Sequence, residues 1–348
     1  MTRLISRRLT LLLVSVGFLM GIGAANAKDG RVKLPDHIDQ ITLSEALVLE
    51  RDLYRAIHNG SITVRTYMRG LSQFSRASDL RAAAAPIEQF AEIHDAIVEG
   101  YAKPNVRDRF IELYGGRIGD LRRKAGKAED PESTAAVQLL AFLALKAEHP
   151  AIKEDQLSLA DQILVERPGA VSRLTALEEA RFALALSVAV KTDGATYVPL
   201  LFEKLDRTES PKKRAQILSA MTWVSDSKTY KAMLNKVISD DLTPDESRQV
   251  LKALFANADN RWTGWRWLKE NYASVAEKLE MSDNEIANVL GGFCTRKAYR
   301  DVQNFYKSKS FGVTEFPNGV TRVLNQIDRC VTFRQKKGNE ITSYMAGP

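Results

Sequence analysis

The sequence has few of the residues and motifs that usually carry enzyme chemistry. It contains four histidines (His37, His58, His94 and His149), and no two of them lie four residues apart. Two histidines one helical turn apart are a common way to hold zinc, and that pattern is absent. The sequence also has no Gly-x-Ser-x-Gly elbow, phosphate-binding loop or dinucleotide fingerprint. We therefore predict no catalytic residue, no metal ligand and no cofactor on this chain, and its part in any enzyme stays open.

Long apolar runs are also scarce, and the only candidate lies at the N-terminus. Three arginines precede the apolar segment 9–20, and a small-x-small sequence, Ala-Asn-Ala, ends at Ala27. This order is typical of a signal peptide. We predict that residues 1–27 are removed, with cleavage between Ala27 and Lys28, and that the protein is exported to the periplasm or secreted.

The export route is less clearly marked than the signal itself. Residues 6–9 read Ser-Arg-Arg-Leu and partly resemble a twin-arginine signal, but Thr10 stands where a bulky apolar residue is usual. General secretion is therefore favoured. Beyond residue 27 no uncharged apolar run approaches about 18 residues, so we predict no membrane span after signal removal.

Cysteine is limited to Cys294 and Cys330. In an oxidising compartment such a pair favours a disulfide, whereas two buried free thiols are the alternative. One predicted helix separates the two positions, so in an up-and-down stack both would lie at helix ends that point the same way. A bridge there would fix the last helices to each other and would have no role in chemistry. Both alternatives stay open at this point.

The charge balance gives little support for nucleic-acid binding. The formal net charge is +7, with 50 basic and 43 acidic residues. Three of the basic residues belong to the predicted signal peptide, which leaves an excess of four. The sequence shows no basic stripe with interleaved aromatic residues, so we predict no nucleic-acid partner.

Length and periodicity predict an all-α protein. A chain of 348 residues exceeds the roughly 250–300 residues of a single core, which favours two domains or a stack of repeats. Capping boxes at Thr42, Thr243 and Ser282 mark helix starts. Helix, short break and helix recur at intervals of roughly 16–20 residues, as in stacked helical hairpins. Further helices are predicted at residues 104–114, 137–145, 158–164, 174–190, 286–293 and 320–331.

Three stretches are less regular. Residues 61–74 alternate partly as a strand does, but a helical face is favoured because no neighbouring segment offers a strand partner. Residues 121–130 are charged and rich in turn formers, which makes them a candidate subdomain boundary. The tail from Lys336 is polar and is predicted to fray.

Two side-chain groups invite a functional interpretation, and in both the structural one is favoured. His94 and Asp95 share a predicted helix with two glutamates, but a solvated helix face explains them more simply. The tryptophans at 262, 265 and 267 resemble a ligand-binding cluster, although their helical spacing favours packing in the core. Arg181 and Arg214 are given no role, and the ligand-binding residues are unknown.

Five segments together resemble a known family. They are Lys-Lys-Arg-Ala-Gln-Ile-Leu-Ser-Ala-Met at 212–221, the helix 245–255, Trp-Arg-Trp-Leu-Lys-Glu-Asn-Tyr at 265–272, and the segments 293–305 and 316–331. In order and spacing they resemble the C-terminal helical domain of puromycin-sensitive and endoplasmic-reticulum type zinc aminopeptidases. Weaker similarity extends back to about residue 43.

The resemblance implies a bowl or curved solenoid of HEAT-like helical hairpins over residues 28–348. In the complete enzymes this domain encloses the peptide over a catalytic domain. The family's His-Glu-x-x-His zinc motif and its Gly-x-Met-Glu-Asn motif are both missing from this chain. No metal or substrate residue is therefore carried over.

Two functional hypotheses follow. The first is an exported, non-catalytic protein that binds a peptide or protein on its concave face, and it is favoured because the signal sequence stands directly before the domain. The alternative is a helical subunit that completes a separately encoded zinc aminopeptidase. A purely structural scaffold in an envelope assembly is a third interpretation that the sequence leaves open.

Overall fold

The computed structural model describes residues 32, 34–125, 130–165, 176–309 and 316–347. All regular elements in these ranges are helices, and these ranges contain no strand. The all-α prediction is confirmed. The helices are α1 Leu43–Asn59, α2 Val64–Gln73, α3 Leu80–Ala84, α4 Ile87–Glu92, α5 Lys103–Tyr114, α6 Ile118–Lys124, α7 Pro131–Leu145, α8 Pro150–Val165, α9 Ala176–Thr192, α10 Gly194–Asp206, α11 Pro211–Met221, α12 Ser227–Val237, α13 Pro244–Ala256, α14 Arg261–Glu270, α15 Tyr272–Lys278, α16 Asp283–Asn288, α17 Arg296–Lys309 and α18 Asn318–Ala346.

The described residues form two compact units. The first unit contains residues 32, 34–125, 130–154, 176–181 and 333–347, and the second contains residues 155–165, 182–309 and 316–332. Helix α6 covers the first part of the candidate boundary at 121–130, and residues 126–129 lie outside the described ranges. A subdomain boundary inside the first unit therefore stays a prediction. The predicted signal peptide and its cleavage site at Ala27 and Lys28 also lie outside the described residues.

Local sequence signals set the helix starts. At Thr42, Thr243 and Ser282 the side chain accepts from the backbone N–H three residues later, and the glutamate at that position accepts from the cap residue's own N–H. Each capping box satisfies two donors that a helix start otherwise leaves unpaired. The three predicted capping boxes are confirmed.

The ambiguous segment 61–74 is helical, as favoured from the sequence. Thr63 caps α2 by accepting from the N–H of Thr66 at 3.2 Å. Val64, Met68 and Leu71 are buried on one face of α2, which fits helical spacing and not the alternation of a strand.

A cluster of aromatic rings forms the centre of the first unit. Helix α7 packs against α3, α5 and α6, and its Phe142 lies 4.7 Å from Phe110 and 6.3 Å from Phe90 between ring centroids. The Tyr114 hydroxyl donates to the Ala83 carbonyl at 3.0 Å, which satisfies the polar end of a fully buried side chain. Burial among these helices explains why the sequence of α7 is apolar on nearly every side.

The second unit is built from neighbouring helices in chain order. Helix α11 contacts α10 and α13, and α12 contacts α13 and α14. Contacts to the next helix and to the one after it are characteristic of stacked helical hairpins.

Helix α18 is longer than predicted. The tail from Lys336 was expected to fray, but the helix continues to Ala346, so that prediction is wrong. The reason lies in Phe333, Ile341 and Met345, which are buried, while most of the polar residues between them are exposed or half-buried.

Among the described residues, no single helix has both the length and the apolar character needed to cross a membrane. The bent pair Pro131–Leu145 and Pro150–Leu164 passes such a test only when its two helices are taken together.

Candidate functional site

Two adjoining cavities lie in the first unit between α2, α5 and the end of α18. The larger has a volume of about 860 Å³, and the smaller has a volume of about 240 Å³. Arg109 of α5 and Tyr344 of α18 line both. We call the two cavities together the α2–α5 groove.

The amphipathic pattern of α2 creates one wall of the groove. Its apolar face is buried in the first unit, so the arginines at positions 65 and 69 face outward together with Arg76, which ends the 3-10 turn that follows α2. Spacings of four and seven residues keep all three on one side of the chain. Arg65 lines the larger cavity, and Arg69 and Arg76 line the smaller.

These three arginines lack counter-charges. Arg65, Arg69 and Arg76 have no hydrogen bond or ion pair to any described residue, and all three are exposed. Like charges four residues apart on a helix destabilise it by about 0.2–0.5 kcal/mol. The repulsion between Arg65 and Arg69 therefore lowers the stability of α2 by a small amount.

Helix α5 and the end of α18 form the other walls. The Asn105 amide donates to the Ala346 carbonyl at 3.1 Å, which joins the start of α5 to the last turn of α18. Arg109 donates to Glu112 at 2.7 Å within α5. The hydroxyl of half-buried Tyr344 makes no hydrogen bond to a described residue.

Charge is distributed unequally between the two cavities. The larger cavity is lined by residues of both signs: Arg65, Arg109, Asp108, Glu112 and Glu340. Of the residues that the structure describes, three arginines, at positions 69, 76 and 109, line the smaller cavity, and no acidic residue does. The groove thus has a cationic end and an end of mixed charge.

A second polar group lies in the interior of the first unit. His94 is 5% exposed, and its Nδ1 lies 2.8 Å from an oxygen of Asp95. The other oxygen of Asp95 accepts from Lys146 Nζ at 2.6 Å. The imidazole Nε2 is buried and has no partner among the described residues.

The solvated-face interpretation of His94 is therefore wrong. The π-helical turn Ile93–Ile97 changes the register of this stretch relative to α4. The polar residues His94 and Asp95 therefore do not lie on an exposed face. Burial lowers the pKa of His94, and its hydrogen bond to the Asp95 carboxylate opposes this only in part. The histidine lines neither cavity of the groove.

A third group, near α1 and α4, is anchored by Gln89. The Tyr67 hydroxyl donates to Gln89 Oε1 at 2.7 Å, and Gln89 Nε2 donates to an oxygen of Glu50. Burial raises the pKa of Glu50 to about 7. Burial likewise raises the pKa of Glu88 and of Glu92. Among the described residues no set of His, Cys, Asp and Glu side chains is arranged to hold a metal ion.

Two of the three tryptophans of α14 are core residues. Trp265 is fully buried, and its indole N–H donates to Asp301. Trp267 is 6% exposed and donates to Asn235 at 2.8 Å. Trp262 is half-buried and stands edge-on to Phe293, with ring centroids 5.0 Å apart. None of the three lines the groove.

The structure also locates the remaining sequence candidates. Cys294 and Cys330 are joined by a disulfide, with a Cα–Cα distance of 5.2 Å. Arg214 pairs with Glu246 at 2.8 Å and donates to the Leu205 carbonyl, in keeping with a salt-bridged position.

Sequence reasoning missed the arginines of the groove, although a signal was present. Residues 53–78 contain four arginines and no acidic residue. Unbalanced local charge of this kind marks a surface that a partner of opposite charge can complete.

The described residues form an all-α protein of stacked helical hairpins. Residues 30–329 match the model of the ERAP1-like C-terminal domain, which covers well over half of the chain. The chain belongs to the ERAP1-like C-terminal domain family, and the resemblance found in the sequence is confirmed. No curated protein matches the chain.

Proposed function

We propose that this protein is an exported, non-catalytic helical domain that binds a peptide or a segment of a protein in the α2–α5 groove. The observation that carries the proposal is the groove itself. Its larger cavity of about 860 Å³ falls within the roughly 300–1,000 Å³ typical of ligand sites. Membership of a family of helical domains from peptide-processing enzymes supports a peptide as the ligand.

The lining of the groove suits a peptide backbone with mixed side chains. Arg65 and Asp108 offer charges of both signs, and Asn105 and Ser343 add neutral polar groups. Most of these side chains are exposed, so a ligand reaches them without displacing a helix. Positioned polar groups beside apolar atoms are the usual means by which such clefts orient their ligands.

Export is supported by two independent features. The first 27 residues have the order of a signal peptide, and Cys294 and Cys330 form a disulfide. Disulfides are rare in reducing compartments and common in exported proteins. We therefore place the working protein outside the cytosol.

A blocking variant tests the proposal. Ser343 is exposed on the wall of the larger cavity, so Ser343→Trp fills the groove without replacing a core residue. We expect residues 28–348 to bind members of a labelled peptide panel, measured by fluorescence anisotropy, and Ser343→Trp to weaken that binding at least about tenfold. Ser274→Trp, at an exposed position of α15 outside the groove, is the matched control.

If the wild-type protein binds no peptide in a broad panel, the proposal is wrong. It is also wrong if Ser343→Trp and Ser274→Trp bind as the wild type does, because the ligand would then lie elsewhere.

Family membership favours one second candidate, a helical subunit that completes a separately encoded zinc aminopeptidase. A tagged protein of residues 28–348 would then recover such an enzyme from its own envelope extract. The eluate would show aminopeptidase activity that the purified protein lacks. An inactive eluate that contains no zinc-motif protein would exclude this candidate.

A further inference from the structure

We infer that the smaller cavity of the α2–α5 groove is a subsite for a carboxylate side chain, so that the ligand is a peptide with an acidic residue. This inference rests on the proposed function and adds the class of peptide that the groove prefers. The smaller cavity is the only part of the groove whose charged lining is all of one sign.

Three arginine residues line this cavity. Arg69 and Arg76 approach it from the α2 side and Arg109 from α5. A carboxylate between guanidinium groups forms short, charge-assisted hydrogen bonds, often two with one arginine. The arrangement therefore presents donors from two helices to one small volume.

Two of these arginines have no other described partner, and the third retains free donors. Arg69 and Arg76 have no hydrogen bond or ion pair within the described residues. Arg109 uses Nη1 for Glu112, and a guanidinium carries five N–H donors in all. Glu112 lines the larger cavity and not the smaller one, so it does not occupy the space between the arginines.

Size and polarity also fit a side chain. A volume of about 240 Å³ corresponds to roughly eight water molecules, which suits an aspartate or glutamate side chain and excludes a whole peptide. The Tyr344 hydroxyl, which lines both cavities, adds a neutral donor at their junction. The backbone of the peptide would then lie in the larger cavity.

The larger cavity argues against a polyanion as the ligand. Asp108, Glu112 and Glu340 line it, and they would repel a run of phosphates that extended beyond the smaller cavity. Among the described residues that line the two cavities, Tyr344 is the only aromatic one, so this lining offers no series of stacking surfaces for bases. A peptide with a single acidic side chain fits both cavities, with its carboxylate in the smaller one and its backbone in the larger one.

Two matched peptide pools test the inference. Each pool contains random peptides of about seven residues, with glutamate fixed at the centre of one pool and glutamine at the centre of the other. We expect residues 28–348 to bind the glutamate pool about tenfold more tightly in about 50 mM salt, with a smaller difference at high salt.

Charge-removing variants locate the effect. Replacing both Arg69→Gln and Arg76→Gln should lower binding of the glutamate pool to the level of the glutamine pool. Arg55→Gln is the matched control, because Arg55 is exposed on α1 in the same acid-free segment, lacks a described partner and lines neither cavity.

The possible failures are distinguishable. Equal binding of both pools by the wild type, with loss of binding in Ser343→Trp, would overturn the carboxylate subsite and leave the proposed function in place. Absence of binding to either pool would overturn both. A loss in Arg55→Gln as large as in the double variant would overturn the subsite, because a diffuse positive field would then explain the preference.

Discussion

Lys146 Nζ lies 2.6 Å from a carboxylate oxygen of Asp95, although 51 positions separate the two residues in the chain. The contact joins the π-helical turn Ile93–Ile97 to the end of α7. Burial alone would raise the pKa of Asp95, but Lys146 and the hydrogen bond with His94 outweigh it and hold that pKa well below its usual value. The carboxylate is therefore ionised over the whole working pH range.

The substitution Asp95→Asn should destabilise the first unit. The lysine, whose side chain is 19% exposed, would lose the carboxylate beside it and keep its charge. We expect a loss of about 1–3 kcal/mol in the free energy of unfolding, measured with urea near neutral pH. Asp328→Asn breaks an exposed pair with Arg296 and should cost no more than about 0.5 kcal/mol. Equal losses in the two variants would contradict the structural role of Asp95.

His94→Leu should change how stability depends on pH. Because burial lowers the folded-state pKa of His94, the unfolded chain takes up its proton first as the pH falls below about 6.5. The wild type therefore loses stability as the pH falls from about 6.5 to the folded-state pKa of His94, which is lower. The variant has no imidazole and lacks this loss. The urea midpoint of the variant, relative to that of the wild type, should therefore rise as the pH is lowered from about 8 to about 5. A constant difference across this range would show that His94 titrates as an exposed histidine does.

Glu50→Gln should have the opposite pH dependence. The pKa of Glu50 is raised to about 7 by burial, with a further rise from Glu88, while the hydrogen bond from Gln89 opposes it. The folded state then keeps a proton that the unfolded chain releases near its ordinary pKa of 4.5, so wild-type stability falls as the pH rises from about 4.5 to 7.

The variant removes this penalty and should gain on the order of 1 kcal/mol relative to the wild type at about pH 8, compared with about pH 4. This figure is well below the full linkage value because Glu50 is partly exposed to solvent.

Removing the disulfide with Cys294→Ala and Cys330→Ala should lower stability. The bridge spans a sequence separation of 36 residues, for which loop-closure entropy corresponds to about 3–4 kcal/mol. Reductant should lower the urea midpoint of the wild type towards that of the double variant and leave the variant itself unchanged. A wild-type midpoint that is insensitive to reductant would contradict this.

Trp265→Phe tests the assignment of the tryptophans to the core. The change removes the indole hydrogen bond to Asp301 and leaves space in a fully buried site, so we expect a loss of about 2–3 kcal/mol. Trp262→Phe, at a half-buried position, should cost less than about 1 kcal/mol. If Trp262→Phe were the more damaging change, the order of burial assigned to this helix would be wrong.

The parts of the fold that the sequence predicted best depend on neighbours within one helical turn. The capping boxes at Thr42, Thr243 and Ser282 involve residues three positions apart, so the sequence alone contains both partners. The last turns of α18 were missed because Ile341 and Met345 are the only large apolar residues of that stretch that are buried, and polar residues surround them in the sequence.

The candidate site was only partly visible for a related reason. The acid-free segment 53–78 was readable from the sequence and places Arg65 and Arg69 on one side of a helix. The cavities exist only because α5 and the end of α18 lie beside that helix, and the hydrogen bond from Asn105 to Ala346 joins residues 241 positions apart. A contact between residues so far apart leaves no periodic pattern in the sequence from which it could be predicted.

The disulfide has a consequence for how the protein responds to proteases. A single cut anywhere between residues 294 and 330 opens the backbone, but both fragments stay in one molecule because sulfur joins them across the cut. The C-terminal fragment, which carries Tyr344 and the wall of the groove formed by α18, is therefore not shed by one nick. Under oxidising conditions the two pieces of a protein nicked in this stretch would stay covalently joined until a reductant separated them.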